Sequence, residues 1–297
     1  MYTLLLIAMC GSVSCDYKKF IQNICGNSED RENSMRSTIG YMLHGWKNLA
    51  YCPAVILNDE MISDNPEGGS GKGLWVSGLS HMKKVVIIDG KSFNFDKSFA
   101  YQLVSADTQI LCFDDVKKHF DFERLFSVVT EGLSLEKKNK DAIKIPFEKS
   151  PKIAITTNYA IKGKGNSFER RKWELELAHH YNKEYTPLKE FGKLMFGEWN
   201  DEEWCQFDNY MIQCLQLYLE KAGGKVSKAT LYNDFVEDNP DFAPKSKMTV
   251  SRTRFNKWLI AFSQFKYDCS PEEGRETTMR WIRFRTKHEL EEQTDLF

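Results

Sequence analysis

The sequence predicts an α/β fold built on a largely parallel sheet, with a helical segment before it and a mixed domain after it. Three observations predict it. Short apolar runs recur at 54–57, 85–88, 109–113, 153–157 and 173–177, the pattern of buried strands. A helical pattern over 74–82 follows the first run, and strands alternating with helices build a parallel sheet. Between that run and that helix lies a glycine-rich turn, Gly68-Gly69-Ser70-Gly71-Lys72.

The elements follow in order. Residues 1–50 read as a helical segment. Tyr17, Phe20, Ile21 and Ile24 stand at helical spacing, as do Met35, Ile39, Met42 and Leu43, with a break at 26–30. Residues 51–197 hold the strands of the α/β core. Residues 133–145 alternate around a polar tip and read as a hairpin. From 198 the composition shifts. Trp204, Phe207, Met211, Cys214, Leu215 and Tyr218 line one face of a long helix that Gly223-Gly224 stop. Helical patterns at 228–237 and 249–265 and a hairpin at 267–285, turning at 271–274, complete a winged-helix-like domain over 198–297.

Composition bounds the function. The chain has 297 residues, 41% of them hydrophobic and 13% aromatic, which supports packed cores and excludes global disorder. The formal net charge is -1, so no uniform basic coat exists and any nucleic-acid affinity must lie in local patches. Its 8 cysteines form neither a C-x-x-C pair nor a zinc spacing, and read as buried thiols of a reducing compartment. The apolar stretch 3–9 is too short to span a bilayer and has no basic residue before it. It reads as a buried helix in a cytoplasmic chain with no membrane partner, the chain either standing alone or forming the C-terminal part of a longer protein.

The chemistry sits in four stretches. Gly68, Gly69, Ser70, Gly71, Lys72 and Gly73 form a turn whose backbone N–H groups can cradle the phosphates of ATP, with Lys72 reaching the β- and γ-phosphates. The turn departs from the P-loop pattern: Pro66 replaces the first glycine, and Gly73 replaces the Ser or Thr that holds magnesium. Magnesium must then lean on Asp114 and water, with Ser70 or Ser77 as helpers. Asp114-Asp115 follow a buried strand, and Asp114 reads as the magnesium ligand with Asp115 as the base for water. The plain alternative is a helix N-cap. Lys137, Lys138 and Lys140 crowd the hairpin tip, either tracking DNA or solvating a loop. Asn158 ends the Thr156-Thr157-Asn158 strand, where it can aim a water at the γ-phosphate. Arg170-Arg171 read as an arginine finger or as a surface pair held by Glu169 and Glu174. Lys162 and Lys164 make a basic loop, and His179-His180 an exposed pair without a third metal ligand.

The order of phosphate loop, paired acids, lysine hairpin, Thr-Thr-Asn strand and paired arginines resembles the superfamily 3 helicases of small DNA viruses and phages. Residues 132–140 look like the DNA-translocating hairpin of polyomavirus large T antigens. Residues 67–73, 113–116 and 166–172 are similar to the helicase part of phage primase–polymerase/helicase proteins, a branch that shares the Gly73 departure. The resemblance covers roughly residues 35–220. It implies an AAA+-like ATPase core that uses ATP and Mg2+. It also implies a ring, usually of six subunits, on single-stranded DNA. Arg170 or Arg171 would reach into a neighbour's site, and Lys137, Lys138 and Lys140 would move along DNA in the central channel. A primase or polymerase partner, or a fused N-terminal domain, is implied with it, in the cytoplasm of a host cell. Near the C-terminus Arg252, Arg254 and Lys257 interleave with aromatic residues and read either as a phosphate-facing helix or as a solvated rim. Two rivals stand beside an ATP-driven DNA helicase: an ATP-switched initiator or loader that does not unwind, and a non-catalytic interaction protein.

Overall fold

The computed structural model describes residues 15–48, 51–60, 68–136, 142–161, 163, 165–221, 226–246, 248–267, 270–276 and 279–283. The chain divides into two compact units, Met1–Leu215 and Gln216–Phe297.

The first unit is a mixed α/β fold around a five-stranded, wholly parallel sheet. Its strands are β1 (Ala54–Asp59), β2 (Val85–Asp89), β3 (Ile110–Val116), β6 (Lys152–Thr157) and β7 (Lys172–Leu177). Their order is β2-β3-β6-β1-β7, so β6 lies between the strand that enters the glycine turn and the strand that carries the acid pair. Strand alternation sends side chains to two cores. Val55, Leu57, Ile110, Cys112 and Ala154 face one, and Ile56, Leu111, Phe113, Ile153 and Ile155 face the other. The edge strand β7 is not a wholly buried run: Trp173, Glu174 and Glu176 are exposed and only Leu175 and Leu177 are buried.

Two helices pack under the glycine turn's side of the sheet. Helix α1 (Asp16–Ile24) buries Tyr17, Phe20, Ile21 and Ile24, the i, i+3, i+4, i+7 stripe seen in the sequence. Helix α2 (Glu29–Leu43) starts six residues earlier than its apolar pattern, because its first turn is acidic and mostly exposed. The break is residues 25–28, of which Gly26 and Asn27 adopt positive φ. Helix α3 (Lys72–Met82) buries Trp75, Val76 and Leu79, and Tyr17 Oη donates to the Trp75 carbonyl at 3.3 Å. A short helix α4 (Phe126–Thr130) precedes the hairpin, α5 (Asn166–Glu169) precedes β7, and α6 (Pro187–Phe191) follows it. Helix α7 (Asp201–Lys221) sends Phe207, Tyr210, Met211 and Cys214 into the α1 core. Cys15, Cys25, Cys112 and Cys214 are buried free thiols, and burial pushes Cys25 up to about 12.

The hairpin is formed by β4 (Gly132–Leu135) and β5 (Ile143–Pro146), paired antiparallel. Its tip, with Lys137, Lys138 and Lys140, lies outside the described residues, as do Lys162 and Lys164. Gly132 has φ 105°, and a Cβ there would sit 2.3 Å from the Ile145 carbonyl oxygen. Gly132→Ala is therefore expected to open the hairpin base and lower stability by about 1–3 kcal/mol, read by urea unfolding. An unchanged unfolding midpoint would refute that account of the turn.

The second unit holds β8 (Val226–Ser227), α8 (Lys228–Asp238), α9 (Arg252–Tyr267), β9 (Glu272–Glu276) and β10 (Met279–Arg283). The strands form an antiparallel sheet of order β8-β10-β9. Tyr232, Val250 and Phe255 make its core, and Tyr232 Oη donates to the Val250 carbonyl at 2.7 Å. The hairpin does not turn at 271–274. Glu272, Glu273 and Gly274 lie in β9, with Gly274 opposite Trp281, because cross-strand pairing overrides a turn-like composition. No helix among the described residues is long and apolar enough to cross a membrane.

Candidate functional site

The carboxyl ends of β1, β3 and β6 converge on the glycine turn, which is where open α/β sheets take their ligands. Glycine is required at 71. Its φ is 106°, and a Cβ there would lie 2.9 Å from the Phe20 ring and 3.2 Å from Ile24. Helix α1 thus supports the turn from below. On the open side a Cβ at Gly68, Gly69 or Gly73 would meet nothing within 4 Å, so space stands over the turn. The helix α3 N-terminus begins at Lys72, and its free N–H groups favour an anion there.

Lys72 is the centre of the polar network. Its Nζ donates to Ser70 Oγ at 3.0 Å and to Asn158 Oδ1 at 2.7 Å. It also lies 2.6 Å from Asp59 Oδ1, with both side chains mostly buried. Asp59 is the last residue of β1 and was not singled out by the sequence. The signal for it was a carboxylate at a strand end just before a glycine turn, hidden because the apolar run stops at Leu57. Asn158 continues the network, donating from Nδ2 to Asp115 Oδ1 at 3.4 Å.

The acid pair is placed differently from its sequence reading. Asp114 and Asp115 lie inside β3, not beyond it, and neither caps a helix. A register shift between Phe113 and Val116 bulges the strand, and Asp115 adopts φ 54°. Bulges re-aim side chains beside functional sites, and an aspartate tolerates the left-handed region better than most residues. The buried Thr156 hydroxyl ties the two acids together. It donates to Asp114 Oδ1 at 2.6 Å and accepts from the Asp115 backbone N–H at 2.7 Å. Lys91, beyond β2, forms an ion pair with Asp115 Oδ2, and that contact raises the Lys91 pKa above its ordinary value. Sequence reasoning missed Thr156 as an organiser and Lys91 altogether; no local pattern marks either.

Lys72, Ser70, Asn158, Asp115 and Asp114 are therefore one connected group. Arg170 and Arg171 stand apart from it. Arg171 Nη1 donates to the Ser167 carbonyl at 2.8 Å and its guanidinium lies 4.6 Å from the Phe126 ring centroid. Partial burial, then the charge of Arg170, lowers its pKa. Arg170 is exposed. The glutamates expected to hold them pair instead with Lys172, Glu174 at 3.0 Å and Glu169 at 3.8 Å. His180 Nε2 lies 3.5 Å from Glu190, and His179 is exposed. Arg252, Arg254 and Lys257 project from the exposed side of α9, Arg252 over Tyr232 and Arg254 over Trp258.

Among the described residues no group of three or more His, Cys, Asp or Glu side chains gathers to hold a metal. Magnesium at phosphate sites commonly uses one or two carboxylates plus the substrate's own oxygens. The buried Asp59 Oδ1, which faces Lys72, and the carboxylate of Asp114 are donors of the right hardness for it.

No family model matches the chain, and no curated protein matches it. Among solved structures it is similar to the apo A form of the NrS-1 C terminal region, at 12% identity and TM-score 0.44, covering 94% of this chain and 78% of that one. A second apo A form, of the NrS-1 C terminal region 305–718, aligns at 12% identity and TM-score 0.41 over the same shares. JCV Helicase bound to a thiazolopyridinyl-phenoxy acetanilide aligns at 14% identity and TM-score 0.38, over 70% of this chain and 54% of that one.

Proposed function

We propose that the chain is an ATP-hydrolysing DNA helicase of the superfamily 3 type, acting as a ring on single-stranded DNA. One observation carries the nucleotide half of this reading: Lys72, under an open glycine turn, is bonded through Asn158 to a bulged acid pair at adjacent strand ends. The roles are part of the proposal. Backbone N–H groups of 68–73 and Lys72 hold the phosphates. Asp114 would hold magnesium, which would supply charge neutralisation of the phosphates. Asp115 accepts the proton of the attacking water, and Asn158 aligns that water.

The DNA half rests on the sequence order and on exposed cations. Lys137, Lys138 and Lys140 would ride on the β4–β5 hairpin, and the second unit would act as a winged-helix-like DNA-binding module. Its functional boundaries, 51–197 for the ATPase core and 198–297 for the C-terminal domain, belong to this proposal. So do AAA+ kinship, a hexamer, a primase or polymerase partner or fused N-terminal domain, and a host cytoplasm.

The test is ATP turnover with and without single-stranded DNA, followed by displacement of a labelled strand. Stimulated turnover with displacement supports the helicase. Stimulated turnover without displacement assigns the ATP-switched initiator or loader instead, and no turnover removes both. The basic face has its own readout. Neutralising Arg252, Arg254 and Lys257 is expected to weaken DNA binding at every sequence and flatten its log–log salt slope by about one unit per lost phosphate contact. A slope equal to wild type would take α9 out of the DNA interface.

A further inference from the structure

We propose that Asp59 is an electrostatic latch on the glycine turn: it holds Lys72 when no nucleotide is present and makes nucleotide capture depend on a divalent cation. The proposal deepens the nucleotide-site reading above and rests on it. An ammonium group has three protons to donate. Around Lys72 Nζ stand three oxygens, Asp59 Oδ1 at 2.6 Å, Asn158 Oδ1 at 2.7 Å and Ser70 Oγ at 3.0 Å. The coordination of Lys72 is full, so a phosphate can reach it only by displacing one of them. Ser70 and Asn158 are neutral and can stay. Asp59 carries the same sign as the phosphate, and the side chains of Lys72 and Asp59 are only 12% and 15% exposed, where repulsion is poorly screened. Asp59 is the group that must yield.

Yielding has a consequence for Asp59 itself. Its Oδ1 is buried, and the Lys72 ammonium 2.6 Å away is its sole counter-charge among the described residues. Without Lys72 it becomes a buried, uncompensated carboxylate, an arrangement proteins avoid. A divalent cation entering with the nucleotide meets that need, since carboxylate oxygens are its natural ligands. Gly73 offers no hydroxyl for the task at the head of α3. Metal-free nucleotide therefore meets an occupied lysine and a repelling acid, whereas metal-loaded nucleotide brings the partner that releases both.

The experiment is titration of the full chain with a fluorescent ADP, in magnesium and in EDTA, for wild type, Asp59→Asn and Asp59→Ala. ADP is used so that no turnover intervenes. Wild type is expected to bind metal-free ADP about tenfold or more weaker than the magnesium form. Asp59→Asn should recover about tenfold in EDTA, the worth of one charge-assisted contact, and lose most of the magnesium effect. Asp59→Ala should shift the same way. Equal wild-type affinity in magnesium and EDTA overturns the latch without any variant. So do variants, folded by circular dichroism, that bind metal-free ADP no tighter than wild type. Wild type that binds ADP under neither condition overturns the nucleotide-site reading instead, which keeps the two failures distinct.

Discussion

Lys72→Ala is expected to cut ATP turnover by about 10²–10³-fold or more, the scale for losing one preorganised charge at a developing anion. No other side chain of the glycine turn carries a charge toward the phosphates. The same change strips Asp59 of its counter-charge in a mostly buried place. Removing one member of such a pair costs about 3 kcal/mol, so the variant should also melt earlier. The two effects separate in the double variant Asp59→Asn/Lys72→Ala. It should regain most of the lost stability and none of the lost turnover, because the buried charge is gone but the lysine proposed to hold the phosphates is still missing. Phosphate release under single-turnover conditions and thermal unfolding read the two quantities. Wild-type turnover in Lys72→Ala would mean that the site lies elsewhere.

What the sequence showed, and what it hid, divides along physical lines. The α1 stripe of Tyr17, Phe20, Ile21 and Ile24 was legible because a helix burying one face must repeat at that spacing. The buried strands were legible as apolar runs for the same reason. The first turn of α2 was not, since Glu29, Asp30 and Glu32 serve the helix N-terminus and leave no apolar mark. In the site, glycines and Lys72 announce themselves by composition. The charged partners of Lys72 and Asp115 do not. Asp59 and Lys91 meet them from other elements, across sequence gaps that local patterns do not bridge. The β3 bulge at Asp115 is hidden for a similar reason, because it arises where the Phe113 and Val116 pairings with β6 fall out of step.

Geometry also separates two neighbours that the sequence treats as equals. Arg171 is committed within its own fold, to the Ser167 carbonyl and the face of Phe126. Arg170 is exposed and has no such partner among the described residues, so its five donors remain available to an anion from outside. If the ring reading holds, Arg170 is the finger. Arg170→Ala should then lower ATP turnover by about 10³-fold while leaving the unfolding midpoint in place. Arg171→Ala should do the reverse. It loses one hydrogen bond and one ring contact, about 1–2 kcal/mol in stability, with turnover per folded molecule nearly kept. Mixing supplies the decisive readout. Arg170→Ala chains still have an intact glycine turn, and Lys72→Ala chains still have an intact arginine. At a mixed interface the second can complete the site of the first. Activity should therefore reappear on mixing two inactive preparations, peaking at intermediate ratios. Arg170→Ala turning over at the wild-type rate would remove the finger. Mixtures that stay inactive at every ratio, with a single chain by light scattering in ATP, would remove the ring, because a group that acts only across an interface has no effect without one.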